Sequence, residues 1–590
     1  MTPAAMRAKA AIARGDLITA YDETVSAIAE GDDSLAIRHQ QVLALARMGD
    51  TDRAMELFEA YDLDGSDDPH QQAIGARLLK DRALALPPGP ARQSALQAAF
   101  EAYLAIFTET ADSYPGINAA SLAALCGQGG QAIGIAEQIL TDPEVAEPGN
   151  YYMAATRSEA LLLTGRIEEC AEALNEAAGL VGNDFGASST TCRQLELLAG
   201  HTGLDNERAH RLLRPIRPPR VLHFCGHIFA SDRKAEAAIL GGIDRFLEER
   251  NIGFAYGAVA AGADILIAEA VLARGGELHV VLPFALGDFV EQSVRPAGEE
   301  WVGRFERCLE AATSQTLATE MAYVGDPQQF AYASRVAMGL ATLRAQHLGS
   351  SALQLAVWDG KGADGVAGTG ADVSVWRKYG GETVVIDPGR VDRAFQRPPT
   401  REFAGDERSL AAIIFTDFPG FSSLAEEALP PFWNGVMRSI ADVLHEHGDD
   451  VLTKNSWGDA LYAIASSARA AADIALQLQD RLKGFDYATL GLEQGTGMRI
   501  GAHYGPAYRM IDHITGQLNF YGTEVSRAAR IEPVTPPGEV FVTEPFAAIL
   551  ALESVERYRC RYVGRIELAK GYGVYPMYWL TRLSQNAPAS

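Results

Sequence analysis

Cysteine is scarce and scattered in this chain. Cys126, Cys170, Cys192, Cys225, Cys308 and Cys560 are spread over 590 residues, with no CxxC pair and no histidine cluster. That spacing argues against a disulfide framework and against a zinc site, and reads as reduced, buried thiols in a cytosolic protein. Long apolar runs are also lacking: no uncharged stretch approaches the roughly 18 residues that a bilayer span requires. The opening MTPAAMRAKAAIARGD has no apolar signal-peptide core, so the expected location is cytoplasmic, with no membrane association. Basic residues are outnumbered, 51 Lys and Arg against 76 Asp and Glu, for a net charge of −25. Such a field opposes nucleic acid and anionic lipid surfaces, although bound divalent cations would reverse it locally. No GxxxxGK[ST] occurs. What is present is ordinary globular composition, 47% hydrophobic and 22% charged, in a chain too long for one core.

Residues 1–213 are rich in Ala and Leu, with helical periodicity. AIARGDLITAYDETVSAI and ALARMGDTDRAMELFEAY share a helix, a Gly-Asp break and a second helix, and the breaks at Gly15-Asp16 and Gly49-Asp50 lie 34 positions apart. ALLLTGRIEECAEALNEA repeats the shape at Gly165. Glycine supplies a left-handed helix cap, and small alanines let helices pack closely. The pattern resembles degenerate tetratricopeptide repeats, and an irregular helical domain is the plainer reading. Either is a scaffold for a protein partner, and neither looks catalytic.

RPIRPPR (214–220) resists helix and reads as a linker. Beyond it, apolar strands (VLHFCGH, ELHVVLPF, LQLAVWDG, ETVVIDP) alternate with amphipathic helices. This predicts a doubly wound α/β domain over 219–390, with its crevice at the carboxyl ends of the strands near Gly226, Gly257 and Gly262. GAVAAGADILIAEAVLARGGELHVVLPF resembles the SLOG superfamily of Rossmann-like domains, which implies a nucleotide-derived ligand. The GKGADGVAGTG run (360–370) is a lid or a tolerated insertion. A second linker, rich in Pro and Arg, covers 391–408.

The last block, 409–583, carries readable chemistry. SLAAIIFTDF is an apolar strand ending at Asp417, and DVLTKNSWGDALYAIA is a hairpin with Asp459 just after a tight glycine turn. If the two strands are neighbours, their aspartates form a paired carboxylate site suited to two Mg²⁺ ions. Singly, each is more often a turn former or helix cap than a metal ligand. His503 reads as a core or dimer-contact residue, Trp457 as a packing aromatic, and HEHGDD (445–450) as a helix end.

FTDFPGFSSL, WGDALYAIA, MRIGAHYGPAY, FYGTEVSRAARIEPVTPPGEVFVTE and LAKGYGVYPMYWL, in that order, closely resemble the class III nucleotidyl cyclase catalytic domain, an α+β ferredoxin-like fold. The resemblance implies that Asp417 and Asp459, with the Phe418 carbonyl, hold two Mg²⁺ or Mn²⁺ ions. It implies that the turn of Phe418, Gly420 and Phe421 cradles the triphosphate. Arg530 matches the arginine that stabilises the α-phosphate, and Lys570 the lysine that binds the terminal phosphates. The family builds each site across a head-to-tail dimer, so one such block per chain implies a homodimer. The expected reaction converts a nucleoside triphosphate to a 3′,5′-cyclic nucleotide and pyrophosphate under control of the upstream domains.

Three positions depart from the family pattern. Ser526 stands where an asparagine positions the ribose. Asn455 and Asn519 stand at the base-selecting positions, so ATP, GTP and a pyrimidine triphosphate remain open, with ATP favoured on family frequency. These departures sustain an alternative: a cyclase-like adaptor that senses nucleotide without turnover. A further reading, nucleotide cleavage in the SLOG-like block, finds no acid–base pair there to support it.

Overall fold

The computed structural model describes residues 2–66, 68–362, 365–395, 408–490, 497–554 and 556–583. The greater part of the second linker, 396–407, and two residues of the glycine-rich run, 363–364, lie outside them. The chain divides into two compact units, one of 1–218 with 346–350, the other of 219–345 with 351–583.

The first unit is helical throughout its regular elements. Those that matter below are α1 (Leu35–Met48), α2 (Pro69–Ala85), α3 (Pro90–Thr110), α4 (Ser113–Leu125), α5 (Tyr151–Leu163) and α6 (Phe185–Ala199). Helix α1 ends because Gly49 enters the left-handed region at φ 78°, which costs an L side chain but not glycine. Gly15 and Gly165 do the same at φ 70° and 75°. Alanines at small helix crossings, including Ala99, Ala119, Ala120, Ala123 and Ala136, are fully buried in a shared core.

The second unit contains two sheets. In the first, β1 (Arg220–Gly226), β2 (Ile252–Gly257), β3 (Glu277–Leu282), β4 (Ser314–Leu317), β5 (Ala352–Val357) and β6 (Thr383–Ile386) run parallel in the order β4-β3-β2-β1-β5-β6. The order reverses between β1 and β5. Helices between them include α7 (Arg233–Glu249), α8 (Ala263–Ala273), α9 (Gln328–Leu348) and α10 (Thr369–Lys378). Strands β1 and β5 are buried almost end to end, as a parallel sheet covered by helices requires.

The second sheet is mixed. It comprises β7 (Arg408–Asp417), β8 (Val451–Trp457), β9 (Ala460–Ala465), β10 (Arg499–Ile511), β11 (Leu518–Tyr521), β12 (Val540–Thr543), β13 (Tyr558–Glu567) and β14 (Val574–Arg582). Its order is β13-β14-β12-β10-β7-β9-β8, with β11 paired to β10. Helices α11 (Arg438–Glu446), α12 (Ala468–Lys483), α13 (Thr523–Ala528) and α14 (Glu544–Glu553) complete it.

Helix α9 fastens the two sheets into one unit. The Tyr332 hydroxyl donates to the Tyr504 carbonyl (2.9 Å), and Arg335 Nη1 donates to the Tyr504 hydroxyl (3.1 Å). Met338, Trp376 and Leu552 share a small core, and buried Arg408 pairs with Asp326 at 3.2 Å. Tyr504 aligns with Ala412 at the middle of β7, and Asp417, at the far end of the strand from Arg408, aligns with Arg499 of β10.

Candidate active site

Strand β7 delivers Asp417 to one edge of the mixed sheet, and its antiparallel neighbour β9 begins one residue after Asp459. Gly458, at φ 65°, turns the β8–β9 hairpin between them, a conformation that favours glycine. Thr416 aligns with Leu461, so both aspartates reach the same edge. The Phe418 amide donates to Asp459 Oδ2 at 3.2 Å, and the Thr416 hydroxyl accepts from the Leu461 amide at 3.2 Å. The Phe418 ring is buried and packs edge-on against Phe432, which anchors the turn that follows. Gly420 takes a left-handed φ of 89°, and Phe421 opens a short 3₁₀ turn.

Burial, followed by the Asp417 charge beside it, raises the Asp459 carboxyl above its usual range. A third carboxyl, Glu532, is pushed up to about 7 by burial and then by Asp417 and Asp459, while Arg499 opposes the shift. Its Oε1 is buried without a hydrogen-bond partner, as is Arg499 Nε. Negative charge thus exceeds what Arg499 offsets on one sheet edge, an environment that a divalent cation stabilises. The donors are hard oxygens, which suit Mg²⁺ or Mn²⁺. The donor chemistry at this edge therefore suits a divalent cation.

Glu532 and Arg499 were not singled out in the sequence. Arg499 becomes visible only once β10 is laid against β7, and Glu532 only once the turn at 532–534 packs on β10, where a side chain at Gly501 would meet the Glu532 amide at 2.6 Å.

The remaining predicted residues lie on other elements. Ser526 is exposed on α13, and Arg530 is half-buried just beyond it. Lys570 sits exposed in the β13–β14 turn at φ 64°. The Ala569 amide donates to the Arg530 carbonyl at 3.3 Å, which draws the Arg530 and Lys570 segments together. Among the described residues, no hydrogen bond or ion pair links Arg530, Ser526 or Lys570 to Asp417 or Asp459.

Asn455 is exposed on β8, its Oδ1 accepting from the Ser456 amide at 2.9 Å. Asn519 accepts from the Phe520 amide (2.8 Å) and donates to the Tyr521 hydroxyl (3.2 Å), which in turn donates to Asp512. Trp457 is not a core aromatic: it is 60% exposed beside Asp459. His503 lies in the core, held between the Thr543 hydroxyl and Glu524 Oε2, each at 2.7 Å, and Arg527 donates to the same Glu524 oxygen.

The sequence model of the adenylate and guanylate cyclase catalytic domain family matches residues 406–582. A second family, Tetratricopeptide Repeats-Sensor, matches 16–123. Similar solved structures include the adenylyl cyclase CyaB from P. aeruginosa, at 16% identity, covering 31% of this chain and 98% of that one, TM-score 0.27. The guanylate cyclase domain of RhGC from Catenaria anguillulae in complex with GTP is 19% identical over 30% of this chain and 98% of its own, TM-score 0.26. The guanylyl cyclase Cya2 is 19% identical over 32% and 98%, TM-score 0.26. No curated protein matches. No helix among the described residues is long and apolar enough to cross a membrane. The C-terminal block of this chain is a class III adenylyl/guanylyl cyclase catalytic domain, with a Tetratricopeptide Repeats-Sensor region upstream of it.

Proposed function

We propose that the protein converts a nucleoside triphosphate, ATP first among those to be tested, into a 3′,5′-cyclic nucleotide and pyrophosphate. The observation that carries this reading is the arrival of Asp417 and Asp459 at one sheet edge, with the Phe418 amide fixing the second carboxylate. Asp417, Asp459 and the Phe418 carbonyl would hold two Mg²⁺ or Mn²⁺ ions. When bound, these supply Lewis acidity toward the attacking ribose 3′-oxygen and toward the departing pyrophosphate. The Phe418–Phe421 turn binds the triphosphate. Arg530 places positive charge on the α-phosphate, Lys570 on the terminal phosphates, and Ser526 orients the ribose. Asn455 and Asn519 meet the base.

The Ala569 amide draws the Arg530 and Lys570 segments together, and a complete site takes these residues from one chain and the aspartates from the other in a head-to-tail homodimer. The SLOG-like block takes a nucleotide-derived ligand, the helical block a protein partner, and both adjust the dimer from the cytoplasm. The adaptor reading draws on the two asparagines, whose side-chain oxygens are already committed to neighbouring amides.

The test is incubation of the purified protein with Mn²⁺ or Mg²⁺ and, separately, ATP, GTP, CTP and UTP, read by mass spectrometry beside Asp417→Ala. One cyclic product that vanishes in the variant supports the enzyme. No product from a dimeric, nucleotide-binding protein supports the adaptor.

A further inference from the structure

Helix α13 is only six residues long, and it bears Ser526, with Arg530 one turn further on. A helix that short has little stability of its own, so the direction its side chains face is set by what it packs against. Glu524, Arg527, Ala528 and Ile531 are buried, whereas Ser526 is exposed and Arg530 half-buried. Positions 524, 527, 528 and 531 recur at helical spacing on the inward face, and 526 and 530, four apart, share the other. The Arg530 amide donates to the Arg527 carbonyl (2.9 Å) and the Ile531 amide to that of Ala528 (3.1 Å), which carries the turn on past Arg530.

The inward face is charged where a core is ordinarily apolar. Glu524 Oε2 lies 2.7 Å from His503 Nε2 of β10 and accepts from Arg527 Nη1, also at 2.7 Å. The other ring nitrogen of His503, Nδ1, lies 2.7 Å from the Thr543 hydroxyl at the end of β12. Burial lowers the His503 pKa against the pull of Glu524. A neutral imidazole here donates to Glu524 and accepts from Thr543, and Arg527 supplies the balancing charge. Gly505, two residues along β10, leaves the room: a side chain there would lie 2.8 Å from Glu524 Cγ and 3.1 Å from His503 Nε2. Arg527 also covers the Tyr575 ring of β14 at 4.9 Å, and the Tyr572 hydroxyl donates to the Thr523 carbonyl at 3.2 Å.

Stability alone is a poor reason for such a group. Glu524 is 1% exposed, and its Oε1 has no hydrogen-bond partner among the described residues. Apolar side chains would hold a helix to a sheet without desolvating a carboxylate. What the directional bonds add is a fixed rotation of the helix about its own axis. We propose, building on the roles given above to Ser526 and Arg530, that Glu524 is a positioning residue for the cyclase reaction: held by His503 and Arg527, it fixes the rotation of α13 at which Ser526 and Arg530 face the ribose and the α-phosphate.

The test compares wild type with Glu524→Ala, Glu524→Gln and Gly505→Ala in the full chain, by cyclic-nucleotide kinetics and by amide hydrogen exchange. Glu524→Ala should lower kcat at least ~10-fold with KM changed less than about 3-fold, because Arg530 acts on charge that grows in the transition state. Glu524→Gln keeps an acceptor for His503 and should recover part of the loss. Exchange should quicken at 523–531 and keep its wild-type rate in the parallel sheet. Glu524→Ala mixed with Asp417→Ala should regain activity, because one site of the mixed dimer then has intact aspartates and an intact Arg530 segment. Mixed with Arg530→Ala, it should not. Unchanged kcat, a rise in KM alone, or recovery with Arg530→Ala but not with Asp417→Ala overturns the proposal. If circular dichroism shows that Glu524→Ala does not fold, Gly505→Ala carries the same readouts, since it displaces Glu524 without removing its charge. A wild type that forms no cyclic nucleotide overturns the cyclase reading instead, and exchange then decides the hold on α13: faster exchange confined to 523–531 supports it, and unchanged exchange there overturns it.

Discussion

Two pairs of aspartates stand at the ends of strands or the starts of helices in the two sheets of one unit, and their surroundings differ. In the parallel sheet, Asp264 opens α8 and Asp372 lies in the first turn of α10. Asp264 is 6% exposed, with the Ala260 amide on Oδ2 and no partner on Oδ1. Burial pushes it up to about 8 despite the backbone donors, and pushes Asp372 up to about 7 against the Ser334 hydroxyl and Arg335. In the mixed sheet, Asp417 and Asp459 are only half-buried and face an open edge. A carboxyl enclosed in the protein interior is pushed toward its neutral form, and access to solvent lessens that penalty. Strand-end position alone does not favour a cation; access to solvent beside a second carboxylate does.

The largest effect expected from that comparison is on turnover. Asp417→Ala or Asp459→Ala should cut cyclic nucleotide formation by at least ~100-fold, measured by product mass spectrometry, whereas Asp264→Asn should leave the Mg²⁺ requirement as it is. If Asp264→Asn abolishes metal dependence while Asp459→Ala does not, the two pairs have been assigned the wrong way round.

Packing between the sheets comes next. A side chain added at Gly339 of α9 would lie 2.1 Å from the Ala548 carbonyl oxygen, a backbone atom that cannot rotate aside. Gly339→Leu should therefore destabilise the protein by about 2–3 kcal/mol, seen as a lower denaturant midpoint. An unchanged midpoint would mean that α9 and α14 separate at little cost.

The smallest effect is in pH dependence. The folded Asp264 carboxyl titrates near 8, against roughly 4 in an unfolded chain. The folded state therefore holds the proton more tightly, and this contribution to stability is complete below about 4 and lost as pH rises toward 8. Asn at 264 mimics the neutral acid, so Asp264→Asn should show a shallower fall in melting temperature between pH 5 and 8. Identical slopes would show that Asp264 is ionised in the folded protein.

Local patterns carried much of the fold. Glycine breaks placed the helix ends of the first unit, and FTDFPGFSSL and WGDALYAIA placed two aspartates at strand termini. Trp457 packs on Tyr462 as an aromatic should, yet stays exposed because its strand, β8, is the sheet's outermost. Glu532 and Arg499 were missed because their relevance depends on a turn and a strand separated in sequence from Asp417 by more than 80 residues. Likewise, the Pro- and Arg-rich composition before the last block suggested independent domains, yet α9 packs the two sheets together through Tyr332, Arg335 and Gly339.

By itself, the sequence determined several of the strands, where Asp417 and Asp459 fall and which five motifs follow one another, because hydrophobic period and turn chemistry act over a few residues. Only the tertiary structure decided that β7 and β9 adjoin and that Glu532 and Arg499 join the aspartates. Strand pairing and helix docking depend on which distant surfaces bury each other, and no local window contains that information.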